Sequence, residues 1–185
     1  MRVISGTARG RKLREPVGET IRPTSDMVKE SIFNIIQFDI EGRKILDLFA
    51  GTGQLGIEAI SRGAKSAVFV DSSADAAKLI ADNVKRCGFG ERAVIHRRDA
   101  LRYLEDCEAF DLIFIDAPYD TLLTGVALEK IIEFDKLNTN GIIMCETRAD
   151  CMTPAVLPPC FIQKEYIYGS VKIIKYEHSS LPREF

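Results

Sequence analysis

The chain contains no tryptophan, only two histidines (His96 and His178) and no CxxC pair among its five cysteines. Cys87, Cys107, Cys145, Cys151 and Cys160 are odd in number and scattered. That pattern argues against a disulfide framework or a zinc site and for free thiols in a reducing cytoplasm. Two imidazoles leave little for a histidine-rich centre, so no metal is expected. No uninterrupted apolar run approaches the ~18 residues of a membrane-spanning helix. The stretch Met1-Arg2-Val3-Ile4-Ser5-Gly6 lacks the apolar core of a secretory signal, so the expected location is cytoplasmic. No segment is of low complexity, and nothing repeats at a fixed period.

A large charge excess is missing too. The net charge of −2 argues, taken alone, against an obligate nucleic-acid binder. Its distribution is uneven. Residues 1–22 hold Arg2, Arg9, Arg11, Lys12, Arg14 and Arg22 against Glu15 and Glu19, a balance of +4 that leaves −6 over the remainder. This predicts a basic N-terminal arm or small hairpin over 1–22 on an acidic body over 23–185, a solvated segment being the alternative. At 185 residues, 46% hydrophobic and 28% charged, the chain reads as one soluble domain with a sizeable core.

Pro23, Thr24, Ser25 and Asp26 are helix-start residues, and Val28, Ile32, Ile35 and Ile36 follow at helical spacing, which predicts a helix over 24–37. From residue 44 strand and helix patterns alternate. Strands are expected at 44–49, 66–71, 93–97, 111–116 and 141–146, with helices near 54–62, 74–87, 99–105 and 122–134. Such alternation means βαβ units, hence a parallel sheet covered on both faces. The end of the chain departs from it: Phe161–Tyr168 and Val171–Glu177 flank Gly169-Ser170 as an antiparallel hairpin.

Two segments carry chemistry. In the first, the strand Ile45-Leu46-Asp47-Leu48-Phe49 runs into Ala50-Gly51-Thr52-Gly53-Gln54-Leu55-Gly56, a GxGxxG turn at a strand-to-helix junction. Asp71 ends the next strand about 20 residues on, where a carboxylate accepts from ribose hydroxyls. An adenosine-containing cofactor is implied. A nicotinamide dinucleotide would set its pyrophosphate on the helix N-terminus, and a carboxylate there hinders it. S-adenosylmethionine carries a sulfonium and an amino group instead, and Asp47 sits where that cationic moiety needs a partner. Asp99-Ala100, after the third strand, suits an adenine edge or a plain helix N-cap.

The second segment is Asp116-Ala117-Pro118-Tyr119, directly after the apolar run Leu112-Ile113-Phe114-Ile115. It brings a carboxylate, a backbone carbonyl stiffened by the following proline and an aromatic face to the carboxyl end of a buried strand, where ligands of open α/β sheets bind. Such a set grips a flat, amine-bearing group by its edge and its face.

Asp47-Leu-Phe-Ala-Gly-Thr-Gly53 resembles motif I of the class I S-adenosylmethionine-dependent methyltransferases, and Asp71 and Asp99 match that family's later acidic positions. Asp116-Ala-Pro-Tyr119 resembles the (D/N)PPY motif of enzymes that methylate amino groups. Ser5-Gly6, Gly10-Arg11-Lys12-Leu13, Arg22-Pro23-Thr24 and Val28-Lys29-Glu30-Ser31-Ile32-Phe33-Asn34 are similar to the N-terminal signature of the bacterial 16S rRNA guanine-N2 methyltransferases of RsmD type. The resemblance spans nearly the whole chain. It implies a Rossmann-like fold with a seven-stranded, mostly parallel sheet and an antiparallel C-terminal hairpin. It also implies S-adenosylmethionine as donor and guanine-966 of 16S rRNA, free or in the small subunit, as target. By the same resemblance, Phe49, Ala50, Gly51, Thr52, Gly53 and Ser72 join Asp47, Asp71, Asp99 and Ala100 in cofactor binding. Asp116, Ala117, Pro118 and Tyr119 form the catalytic clamp. Arg9, Arg11, Lys12 and Arg14 are candidate phosphate contacts, and Arg22 and Thr24 fall near the cofactor or target pocket. Ala117 departs from the usual proline, yet it supplies the same carbonyl. The competing readings are methylation of adenine N6 or of a protein glutamine, a nicotinamide-dependent oxidoreductase, and a non-catalytic RNA-binding assembly factor.

Overall fold

The computed structural model describes residues 1–16, 26–118 and 122–179. Strands β1 (Lys44–Leu48), β2 (Ser66–Asp71), β3 (Ala93–Arg97), β4 (Phe110–Ile115) and β5 (Leu137–Arg148) run parallel. Strands β6 (Cys160–Tyr168) and β7 (Val171–His178) close the sheet antiparallel. The order is β3-β2-β1-β4-β5-β7-β6, the seven-stranded sheet with a C-terminal hairpin expected from the sequence. The helices between are α1 (Asp26–Ile35), α2 (Gln54–Ser61), α3 (Ala74–Cys87), α4 (Ala100–Asp106) and α5 (Leu123–Glu133).

The period-two alternation of each strand sorts its side chains between two cores. Ile45, Phe69, Phe114 and Met144 face α1, α2 and α3, whereas Leu46, Val70, Ile113 and Ile143 face α4 and α5. α3 shows how sequence fixes an element. Ala76, Ile80, Val84 and Cys87 form its buried stripe, the Ser73 side chain caps its start, and Gly88 in the left-handed region ends it.

Several boundaries shift by one or two residues: the helix expected over 24–37 ends at Ile35, residues 24 and 25 lying outside the described residues, and β5 runs on to Arg148. Two further differences have local reasons. β1 stops at Leu48 because Phe49 turns to φ 63°, the first residue of the glycine loop. β5 begins at Leu137, not near 141, although Asn138-Thr139-Asn140-Gly141 reads as a turn. Its pairing with β4 shifts register between Phe110 and Leu112, and Asn140 takes φ 61°, so the strand absorbs those residues as an irregularity.

Residues 1–14 fold back on themselves through an Arg2–Lys12 antiparallel bridge, with Val3 N–H donating to the Arg11 carbonyl at 3.0 Å. The hairpin is docked: Val3, Ala8 and Leu13 are buried in the core beside α1 and α2. Gly6 permits the approach, since a Cβ there would stand 1.8 Å from the Ser61 carbonyl oxygen, at a backbone φ of 81°. Glu58, buried within α2, accepts from the backbone N–H groups of Ile4 at 2.8 Å and Ser5 at 2.9 Å and from Arg62 Nε at 2.8 Å. Lys29 of α1, fully buried, donates to the Arg2 carbonyl at 2.6 Å.

Glu58→Ala should therefore cost about 3–5 kcal/mol of stability, the range for breaking a buried, hydrogen-bonded charge pair. Denaturant unfolding would measure the loss, and hydrogen exchange should show Ile4 and Ser5 amides losing protection first. A loss confined to a few tenths of a kcal/mol, within the range of ordinary surface substitutions, would show that Glu58 does not anchor the hairpin.

Candidate active site

The strand order reverses between β1 and β4, and a cleft of about 1200 Å³ opens at the carboxyl ends of these strands. Asp47, Phe49, Ala50, Gly51 and Thr52 of the glycine loop line it, with Asp71, Ser72, Asp99 and Ala100 on one side and Asp116, Ala117 and Pro118 on the other. The structure thus brings the two chemistry-bearing segments, more than 60 residues apart in sequence, to one place. Tyr119, Arg22 and Thr24 lie outside the described residues.

The loop is built by its glycines and held by its aspartates. Gly51 and Gly53 take φ 53° and 74°, and Gly53 N–H donates to the Ala50 carbonyl at 2.7 Å, closing the turn. Gly53 does not itself border the cleft. A Cβ on Gly56 would stand 2.3 Å from Phe69 Cε1, so α2 packs on β2 only through a glycine. Asp47 Oδ2 accepts from Gly56 N–H at 2.8 Å, and Asp71 Oδ2 accepts from Gly51 N–H at 2.9 Å while its Oδ1 accepts from Ser73 N–H at 2.8 Å. Asp99 caps α4, its Oδ1 accepting from Arg102 N–H at 2.9 Å, and still borders the cleft. The N-cap and ligand-facing readings of Asp99 are therefore compatible.

Burial is the main force on Asp47, which is 1% exposed. It lifts the carboxyl to about 8 against the opposing Gly56 hydrogen bond, and the nearby charges of Asp116 and Asp71 add to the rise. Asp116 is half-buried, Ala117 is buried and Pro118 exposed, so the clamp spans the depth of the cleft wall.

The lining is strongly acidic. Glu15, Asp47, Asp71, Asp75, Asp82, Asp99, Asp116 and Glu146 face it, against the cations Arg14 and Lys78 among the described residues. One of those cations is engaged, since Arg14 Nη1 lies 2.6 Å from Asp82 Oδ2. Such a lining repels a pyrophosphate and suits a ligand carrying positive charge with ribose and adenine donors. The closely packed glycine loop and the carboxylates at the ends of β1 and β2 fit S-adenosylmethionine on these grounds.

Arg9, Arg11 and Lys12 are exposed on the docked hairpin, whereas Arg14 sits apart from them, at the cleft. Its backbone N–H donates to Asn83 Oδ1 at 2.7 Å, and Asn83 Nδ2 in turn donates to the Thr52 carbonyl at 3.1 Å, joining hairpin to glycine loop. Sequence reasoning missed Glu146 and Tyr168, which line the far side of the cleft with Met27 and Val28 of α1. Glu146 carried a readable signal: like Asp116, it is a carboxylate that directly follows an apolar run, here Ile142-Ile143-Met144-Cys145.

The family model described as conserved hypothetical protein 95 matches residues 1–177. The ribosomal RNA small subunit methyltransferase D of Haemophilus influenzae is 34% identical over 183 residues, covering 96% of this chain and 94% of its own. The protein of that name from Escherichia coli is 27% identical over 180 residues, covering 97% and 91%. Among solved structures, Escherichia coli yhhF, described as a candidate methyltransferase, has a TM-score of 0.88 at 26% identity, covering 98% of this chain and 99% of that one. A Salinibacter ruber RNA methyltransferase solved with S-adenosyl-L-homocysteine shares the fold, with a TM-score of 0.64 at 13% identity over 88% of this chain and 98% of its own.

Proposed function

This chain belongs to the conserved hypothetical protein 95 family, with the ribosomal RNA small subunit methyltransferase D proteins, and from that premise we propose that it methylates ribosomal RNA with S-adenosylmethionine as donor. The finer reading is transfer to the exocyclic N2 amine of a guanine in 16S rRNA, guanine-966 by resemblance. One observation carries it: the amine clamp at Asp116-Ala117-Pro118 and the acidic glycine loop at Asp47 share a single cleft at the β1–β4 junction.

Asp47, the 49–53 loop, Asp71, Ser72, Asp99 and Ala100 would hold the donor. When bound, S-adenosylmethionine supplies a methyl group on a sulfonium, which departs as a neutral thioether. A guanine amine is a weak nucleophile because its lone pair is delocalised into the ring. Asp116 and the Ala117 carbonyl are acceptors, so they hold its N–H groups and turn the lone pair out of conjugation. Asp116, or water beyond it, takes the proton. Positioning supplies up to ~7–11 kcal/mol in favourable cases, and the proton acceptor a further roughly 10²–10⁴-fold. The exposed basic face of the hairpin, carrying Arg9, Arg11 and Lys12, meets RNA phosphate.

The donor assignment has a direct test. At pH 7 the ligand-free Asp47 carboxyl, raised to about 8, is mostly protonated. A bound ammonium favours the carboxylate, so binding at pH 7 should release close to one proton, and affinity should rise with pH up to about 8. Because the folded value lies above the unfolded one, the ligand-free fold loses stability as pH climbs from 3.8 towards about 8, and bound donor offsets that loss. Titration calorimetry in buffers of different ionisation enthalpy should show the proton release with S-adenosylmethionine, its absence in Asp47→Asn, and no binding of a nicotinamide dinucleotide. Identical heats in all buffers would remove Asp47 from the donor site.

A further inference from the structure

The cleft is larger than one small molecule needs. Its roughly 1200 Å³ exceeds the about 300–1,000 Å³ of a typical small-molecule pocket. The sheet order divides its lining at the β1–β4 junction. The donor residues belong to the β1, β2 and β3 side, whereas Glu146, Tyr168 and Val171 belong to the β5, β7 and β6 side, with Met27 and Val28 of α1 also lining it.

Register places the acidic groups of that second half. Phe114 of β4 pairs with Asp47 on one flank and with Met144 on the other. One residue past the Ile115–Cys145 pair, on the Phe114 face, come Asp116, just beyond the end of β4, and Glu146, still within β5. Glu146 pairs onward with Ile173 of β7, and Val171 pairs with Tyr168 of β6. The row leading away from the clamp therefore runs Asp116, Glu146, Ile173 and Tyr166, and two residues along on the same face the next row runs Arg148, Val171 and Tyr168. Glu146 is 5% exposed yet borders the cleft.

We propose that Glu146 is the specificity-determining residue of the acceptor site, accepting the ring N1–H of the target guanine while Asp116 and the Ala117 carbonyl hold its amine. This rests on the guanine-N2 reading above. The chemistry is selective. Adenine, cytosine and guanine all carry an exocyclic amine, but only guanine has a ring N–H beside it, the adjacent ring nitrogens of adenine and cytosine being acceptors. An ionised carboxylate only accepts, so against adenine or cytosine two acceptors would face each other in a buried place, where an unmade hydrogen bond is costly. Tyr168, in the neighbouring row on the same face, supplies an aromatic wall of the cleft.

The test uses small subunits reconstituted with guanine or 2-aminopurine at the target position. 2-Aminopurine keeps the amine and loses the N1–H. The full-length wild-type enzyme should prefer guanine by roughly 10²-fold or more in kcat/KM, as sites built around a substrate hydrogen bond do. Glu146→Gln, whose amide donates to a bare N1, should shift that preference at least about tenfold towards 2-aminopurine, while S-adenosylmethionine affinity by calorimetry holds. Glu146→Asp, which keeps the charge, should be slower and retain the guanine preference. Wild-type enzyme that takes both bases equally overturns the proposal and needs no folded variant to do so. So does Glu146→Gln lowering both rates together, the outcome of a purely structural role. Methylation of adenine, or of neither base, fails at the earlier step and removes the guanine-N2 reading, and this proposal with it.

Discussion

Asp116→Asn should slow methyl transfer roughly 10²–10⁴-fold while leaving S-adenosylmethionine affinity within about threefold. The substitution keeps the side-chain shape but replaces a proton acceptor with a group that presents N–H to the amine it should hold. Single-turnover kinetics with a methyl-labelled donor isolate the chemical step. A second readout comes from Asp47, whose carboxyl is raised in part by the charge of Asp116. Removing that charge lowers Asp47, so donor binding at pH 7 should release fewer protons in Asp116→Asn than in the parent. Full turnover by the folded variant would remove Asp116 from the chemistry. Lost donor affinity would move it to the donor site.

The second large effect concerns RNA. Replacing Arg9, Arg11 and Lys12 together with glutamine should lower the salt dependence of RNA binding by about 2–3 logarithmic units of slope and cut affinity roughly 10²-fold near 0.1 M salt, following about 0.7–0.9 released counterions per phosphate contact. These side chains are exposed, so the hairpin should stay folded and donor affinity unchanged. Deleting residues 1–14 is not an equivalent experiment. It would strip Val3, Ala8 and Leu13 from the core and leave buried Glu58 without its two backbone donors. An unchanged slope in the triple variant would make the basic face a solvated surface.

Much of this site is legible in sequence because its main parts are local. A glycine turn between strand and helix, and acidic residues that end apolar strands, are patterns a few residues wide. They placed Asp47, Asp71, Asp99 and Asp116 at strand ends or helix starts, where the fold gathers them. What stayed hidden depends on register across the sheet. Glu146 stands beside Asp116 only because Ile115 pairs with Cys145, and Tyr168 joins them only through β7. The docking of the N-terminal hairpin was hidden for a related reason. Glu58, Ser61 and Asn83 read as ordinary helix residues, and only the packed fold shows them receiving backbone groups from residues 4–14. The early start of β5 was masked by Asn140-Gly141, whose turn propensity the irregular register overrides.

On the proposed function, one cleft joins a methyl donor to a guanine amine of ribosomal RNA. Small subunits lacking the modification, incubated with this protein and methyl-labelled S-adenosylmethionine and then digested to nucleosides, test it most directly. Label is expected in N2-methylguanosine from 16S rRNA. Label in N6-methyladenosine or in a protein glutamine, or no label at all, would contradict it.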